Sequence, residues 1–155
     1  METNLVTLLR SKATQKPQSP CLTFGTETLS FADVDARASR VARALEASGI
    51  QSGDRVAIVA RNTSVHFELF FGCAKSGAIF VPINWRLSAR EIADILADAS
   101  PSLLFIEDEF QPLLLLFTPH QVPTLLSHYP MWRDSAQRFR HIQLTERSER
   151  SLTGA

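Results

Sequence analysis

The 155-residue chain holds two cysteines, no net charge and no long apolar run, and each scarcity removes a class of function. Cys21 and Cys73 stand far apart with no C-x-x-C spacing, which argues against a disulfide scaffold or a zinc site and favours a reducing, cytoplasmic compartment. Sixteen Lys+Arg balance sixteen Asp+Glu, so no basic field exists to hold nucleic acid or an anionic membrane surface. No uninterrupted apolar run exceeds the five residues Leu113 to Phe117, far short of the roughly 20 that a membrane span needs. Met1-Glu2-Thr3-Asn4 also lacks the basic start of a secretory signal.

What is present describes a globular chain. Hydrophobic residues at 45%, charged residues at 21% and a mean hydropathy of -0.02 are ordinary, and a chain of this length can bury about two-thirds of its unfolded surface. Leu5, Leu8 and Leu9 predict a short helix over Asn4 to Ala13, ending before Pro17. Cys21 to Phe24 and Thr28 to Phe31 predict a hairpin around Gly25-Thr26-Glu27.

Ser30-x-x-Asp33 is a capping box, and Leu29 and Val34 can staple across the first turn of the helix it opens. Val34, Ala38, Val41, Ala42 and Leu45 form its apolar stripe. Gly49 is the left-handed stop, with Ile50 placed to reach Leu45. Val56 to Ala60 is continuously apolar, as in a strand buried on both faces. Ser64 is expected to cap the next helix, which Val65, Phe67, Leu69, Phe70, Phe71 and Ala74 surround, so it should be nearly engulfed before Gly77 ends it. Ala78 to Ile83 is a second strand. Ser88-x-x-Glu91 then repeats the capping box ahead of Ile92, Ile95, Leu96 and Ala99, and Ser102 to Ile106 is a third strand. The order β-α-β-α-β predicts an α/β fold: an incomplete doubly wound parallel sheet, preceded by an N-terminal helix and hairpin.

Beyond Phe110 the pattern changes, because Pro112, Pro119, Pro123 and Pro130 interrupt it and no capping box recurs. Residues 1–110 carry a net charge of -2 and residues 111–155 a net +2. A boundary is therefore expected near Phe110, followed by a divergent, partly disordered tail whose end, Thr145 to Ala155, is too polar to fold.

The residues that could carry chemistry mostly have structural explanations. Gly72 to Gly77 has phosphate-loop-like glycines, but no Gly-Lys-Ser/Thr follows and the glycines sit at a helix end rather than a helix start. Asp33 and Glu91 occupy the third position of capping boxes, and Lys75 suits the carboxyl end of a helix dipole. His66, His120, His128 and His141 show no metal-ligand spacing, and no serine sits in a G-x-S-x-G elbow. Trp85 and Arg86, in the loop Asn84 to Leu87, follow the carboxyl end of a strand, where open α/β sheets place ligands; loop packing is the weightier explanation.

Two stretches resemble the adenylate-forming enzymes, the superfamily of acyl-CoA synthetases, peptide-synthetase adenylation domains and luciferases. Leu29-Ser30-Phe31-Ala32-Asp33-Val34 is similar to the motif L-(T/S)-Y-x-E-L, and Cys73 to Asn84 is similar to L-K-A-G-x-A-Y-V-P-(I/L)-(D/N). Gly53 to Ile58 also matches, and Asn84-x-Arg86-Leu87 is closest to acyl-CoA synthetases. The resemblance covers residues 3–110 and implies a parent that adenylates a carboxylic acid with ATP and magnesium, then passes the acyl group to coenzyme A in fatty acid metabolism. The Ser/Thr/Gly-rich phosphate loop (Y/F)-(T/S)-S-G-(T/S)-T-G-x-P-K-G and the later motifs of that family do not occur in this sequence. No catalytic, cofactor-binding or metal residue is carried over, and the chain alone, with no cofactor of its own, is expected to be inactive. It reads as an N-terminal fragment of a truncated or frame-disrupted synthetase. The alternative is a non-catalytic module that pairs with itself or with a full-length synthetase through exposed apolar sheet and helix faces. An independent nucleotide-binding module is disfavoured for want of a phosphate loop.

Overall fold

The computed structural model describes residues 4–116 and 139–143. The elements run α1 (Leu5–Gln15), β1 (Pro20–Phe24), β2 (Glu27–Ser30), α2 (Phe31–Ala47), β3 (Arg55–Val59), α3 (Ser64–Ser76), β4 (Ile79–Ile83), α4 (Ala89–Ala99), β5 (Leu103–Glu107), a 3-10 segment (Asp108–Leu116) and β6 (Phe139–Gln143). They group into two compact units, Met1–Asp54 with Asn62–Phe80, and Arg55–Arg61 with Val81–Ala155.

In the first unit the local signals act as the sequence expects. Ser30 accepts from the Asp33 amide at 3.2 Å while the Asp33 carboxylate takes the Ser30 amide at 3.0 Å, closing the box that opens α2. At its far end Ile50 N–H donates to the Leu45 carbonyl (3.1 Å) and Gly49 N–H to that of Glu46 (2.9 Å), the paired bonds of a Schellman ending. Gly49 has φ +82°, a conformation that only glycine adopts without strain. The hairpin turns on Gly25-Thr26 alone, with Phe24 already paired to Glu27, so its loop is one residue shorter than expected. Leu9 of α1, Leu29 of β2 and Val34 of α2 form a small core, with Cys21, Leu22, Phe31 and Phe71 against it.

Helices α2 and α3 approach closely because Gly72 faces Val41: a Cβ at Gly72 would lie 2.3 Å from Val41 Cγ1. Two features of α3 depart from expectation. Thr63, not Ser64, takes the N-cap position, and its hydroxyl makes no capping bond. Ser64 already has helical backbone, so its side chain no longer reaches back to the next turn. Nor is α3 engulfed: Val65, Leu69, Gly72 and Cys73 share one buried face, whereas Phe67 points the other way and is 47% exposed.

The second unit is built on a four-stranded sheet in the order β4-β3-β5-β6. Strands β3, β4 and β5 are parallel, with Val56 opposite Leu103 and Val59 opposite Ile106. Val56, Ile58, Leu103 and Phe105 on one face are as completely buried as Ala57, Val59, Leu104 and Ile106 on the other, as a doubly wound sheet requires. Ile92 and Leu96 of α4 cover the second of these faces, with Ile83 in the same cluster. Strand β4 is an edge, which is where Pro82, lacking an amide donor, can sit within a sheet. Helix α4 ends at Ser100, a non-glycine residue at φ +43°, and the Arg55 guanidinium donates to its carbonyl at 3.0 and 3.2 Å.

Strand β6 comes from the segment beyond Phe110 for which no element was expected. It pairs antiparallel with β5, Phe105 opposite His141. Its sequence, Phe139-Arg140-His141-Ile142-Gln143, mixes polar and apolar positions, as an edge strand does, and its partner lies more than thirty residues away. The expectation of disorder over Thr145 to Ala155 lies outside the described residues.

Candidate functional site at the carboxyl edge of the sheet

The carboxyl ends of β3, β4 and β5 bring together four residues. Arg61 follows β3, Trp85 and Arg86 follow β4, and Phe110 lies in the 3-10 segment after β5. The Trp85 loop is shaped locally, since Asn84 Oδ1 accepts the Arg86 amide at 3.0 Å and the Asn84 carbonyl accepts the Leu87 amide at 3.2 Å. Trp85 packs at the border of the α4 core and stacks on Phe110, with ring centroids 5.5 Å apart and planes 27° from parallel.

The guanidinium of Arg61 lies 5.7 Å from the Trp85 ring centre and 5.8 Å from that of Phe110, and it forms an ion pair with Glu109. The Arg61 amide donates to Glu107 Oε2 at 2.9 Å. Arg86 lies 4.5 Å over the Trp85 ring. Among the described residues Arg61 therefore has a carboxylate partner, while Arg86 rests on an aromatic shelf with its guanidinium exposed. An exposed guanidinium beside an aromatic ring can present paired donors to a carboxylate or phosphate, at the edge where α/β sheets receive ligands. Packing explains Trp85, as the sequence expects, but leaves Arg86 unexplained.

The other residues singled out in the sequence lie elsewhere. Asp33 and Glu91 close capping boxes with Ser30 and Ser88, and the hydroxyl and amide donors of those serines hold both carboxyls below their usual range. Lys75 does close α3, but its ammonium is also spent on Asp35 Oδ1 (2.6 Å) and Ser39 Oγ (2.9 Å) of α2, which a helix-end role alone does not anticipate. Beside it Arg37 pairs with Glu68 (3.0 Å) and Glu27 (3.2 Å). Burial alone would lower the Arg37 guanidinium's pKa; Glu68 and Glu27 outweigh it and hold it raised. His66 sits in the first turn of α3, its amide donating to the Thr63 carbonyl. His120 and His128 lie outside the described residues; His141 is in β6. Cys73 is buried, which pushes its thiol up to about 12, and burial also raises Cys21. Among the described residues no three His, Cys, Asp or Glu side chains are grouped to hold a metal, and no helix is long and apolar enough to cross a membrane.

Arg61, Glu109, Phe110 and Glu68 were not marked by sequence reasoning. For the first three the available signal was position, since each stands just past a strand's carboxyl end. For Glu68 it was a lone carboxylate in an apolar helix.

Residues 9–148 match the sequence profile of the family described as AMP-binding enzyme. A fatty acid–[acyl-carrier-protein] ligase, ScoC of Streptomyces coeruleorubidus, is 37% identical over 126 residues, covering 79% of this chain and 24% of the relative. A long-chain-fatty-acid–CoA ligase of Mycobacterium tuberculosis is 35% identical over 113 residues, covering 72% and 22%. The chain thus spans about a quarter of the length of these curated relatives. Among solved structures, the inhibitor-bound N-terminal domain of FACL13 from Mycobacterium tuberculosis superposes with a TM-score of 0.70 at 34% identity, over 74% of this chain and 29% of that one. The profile match reaches residue 148, past the residues 3–110 that carry the motifs. With nine-tenths of its length matched and its parallel core superposing on a ligase N-terminal domain, this chain belongs to the AMP-binding enzyme family.

Proposed function

We propose that the chain is the N-terminal part of an AMP-forming acyl ligase, whose whole would adenylate a carboxylic acid with ATP and magnesium and transfer the acyl group to a thiol such as that of coenzyme A. The observation that carries this reading is the family match over residues 9–148, together with the fatty-acid ligases among the relatives. The free cysteines Cys21 and Cys73 suit a reducing, cytoplasmic setting.

These 155 residues alone do not catalyse adenylation. Phosphoryl chemistry needs donors aimed at the developing charge; the N-termini of α1, α2 and α4 are each closed by their own capping boxes, while that of α3 lacks a side-chain cap. The family's phosphate loop does not occur in the sequence. What the chain offers is scaffold plus, at the carboxyl edge of the sheet, the exposed Arg86 with no carboxylate partner among the described residues, suited to an anionic group such as a phosphate at the rim of a larger site. ATP–pyrophosphate exchange tests this: the chain incubated with ATP, magnesium and fatty acids of several lengths gives no acid-dependent exchange above a blank. Exchange that rises with added acid would overturn it.

A second reading, a non-catalytic module that pairs with itself or an intact synthetase, is favoured by exposed apolar side chains: Leu5 and Leu8 on α1, Phe67 on α3 and Ile79 on β4, each about half exposed. Size-exclusion chromatography of the chain, alone and mixed with an intact acyl-CoA ligase, decides it; elution as a monomer in both cases removes the reading.

A further inference from the structure

We propose that Arg61 is a positioning residue, which locks the Trp85 shelf so that Arg86 presents its guanidinium in a fixed direction to a phosphate group. The proposal rests on the reading of Arg86 as an anion contact, and deepens it by naming what holds that contact in place. Arg61 is tied to all three strand ends at once. It leaves the end of β3, its amide donates to Glu107 at the end of β5, its guanidinium lies against both Trp85 and Phe110, and Glu109 of the 3-10 segment pairs with that guanidinium at the surface. Trp85 has Phe110 stacked on it and Arg61 close by, while Arg86 lies over its ring.

Without the Arg61 side chain the loop Asn84 to Leu87 keeps its internal turn and the Phe110 stack but loses the guanidinium contact that reaches Trp85 from the end of β3. A ring free to tilt carries Arg86 with it, so the effect on a ligand is indirect. Arg61 is not itself the anion contact, because Glu109 already takes its charge.

The test uses the full chain with Trp132→Phe, which leaves Trp85 as the single tryptophan reporter. Acrylamide quenching of Trp85 and titration with ATP, with coenzyme A and with inorganic pyrophosphate are compared in the parent, Arg61→Gln, Arg61→Lys and Arg86→Gln, with far-ultraviolet circular dichroism confirming a native fold. The three probes separate a nucleotide triphosphate, a coenzyme A phosphate and a bare phosphate as sources of the shared chemistry. Expected for Arg61→Gln are stronger quenching of Trp85 and probe binding weaker by about two- to five-fold, the span of an exposed cation–aromatic contact. Arg61→Lys recovers part of both, since it keeps the charge for Glu109 but not the planar face. Arg86→Gln loses probe binding outright. Unchanged Trp85 quenching in natively folded Arg61→Gln overturns the positioning role, even if probe binding weakens, because Arg61 would then touch the anion directly. If no probe binds the parent while Arg61→Gln still exposes Trp85, the reading of Arg86 falls and the positioning of the shelf stands.

Discussion

The α2–α3 junction and the carboxyl-edge corner are both built from an arginine beside carboxylates, yet they put the charge to opposite uses. At the junction Glu68 is 5% exposed and Lys75 7%, so their partners Arg37 and Asp35 are obligatory: a buried charge without its counter-ion costs far more than the pair contributes. At the corner Glu109 is 56% and Arg61 48% exposed, water competes for both, and the pair contributes little to stability. The difference teaches where this chain keeps its rigidity. Buried pairs and the Gly72–Val41 approach fix α2 against α3, whereas the corner is held by aromatic contact and leaves Arg86 free for a ligand.

Removing the partner of the most buried carboxylate, Glu68, should produce the largest effect. Arg37→Ala takes the guanidinium from the buried Glu68 carboxylate and should cost about 3 kcal/mol in chemical denaturation. A loss below about 0.5 kcal/mol, the range of surface pairs, would erase the contrast. Gly72→Ala should follow at about 2 kcal/mol, since the new methyl collides with Val41 and the gain in helix propensity offsets only part of that. Gly72→Ala combined with Val41→Ala should recover most of the loss.

Next in size are the caps. Ser30→Ala and Ser88→Ala should each cost about 1 kcal/mol at neutral pH, read as a shift in the denaturation midpoint. Asp33 and Glu91 titrate below their ordinary values because these serines donate to their carboxylates. Their contribution is complete above the unfolded carboxyl value, about pH 4, and fades as the pH falls through the lower folded value. The deficit of both variants should therefore shrink in acid; a deficit that grows there would reverse the assigned sign. Smallest should be Glu109→Gln, worth about 0.5 kcal/mol or less at low salt and nothing near 1 M salt.

The sequence disclosed whatever is decided within a few residues. The capping boxes at Ser30 and Ser88, the ending at Gly49 and the three parallel strands were legible because hydrogen bonds between near neighbours and apolar runs specify them. Both family motifs span such junctions, one crossing from β2 into α2 and the other from α3 into β4. What escaped notice is long-range. The Arg37–Glu68 pair joins residues on different helices, the pairing of β6 with β5 crosses a proline-interrupted stretch, and the corner forms only when three strand ends meet. Phe67 illustrates the limit of composition: an apolar helix was expected to be covered all round, but a helix buries the face that its neighbour meets.

The most direct test of this contrast is a pair of double-mutant cycles, Arg37 with Glu68 and Arg61 with Glu109, measured by denaturant unfolding at low salt and at 1 M salt. Predicted is a coupling above about 1.5 kcal/mol for Arg37–Glu68 that persists in salt, beside one below about 0.5 kcal/mol for Arg61–Glu109 that vanishes. Equal couplings with equal salt dependence would contradict the division between a rigid junction and an exposed corner.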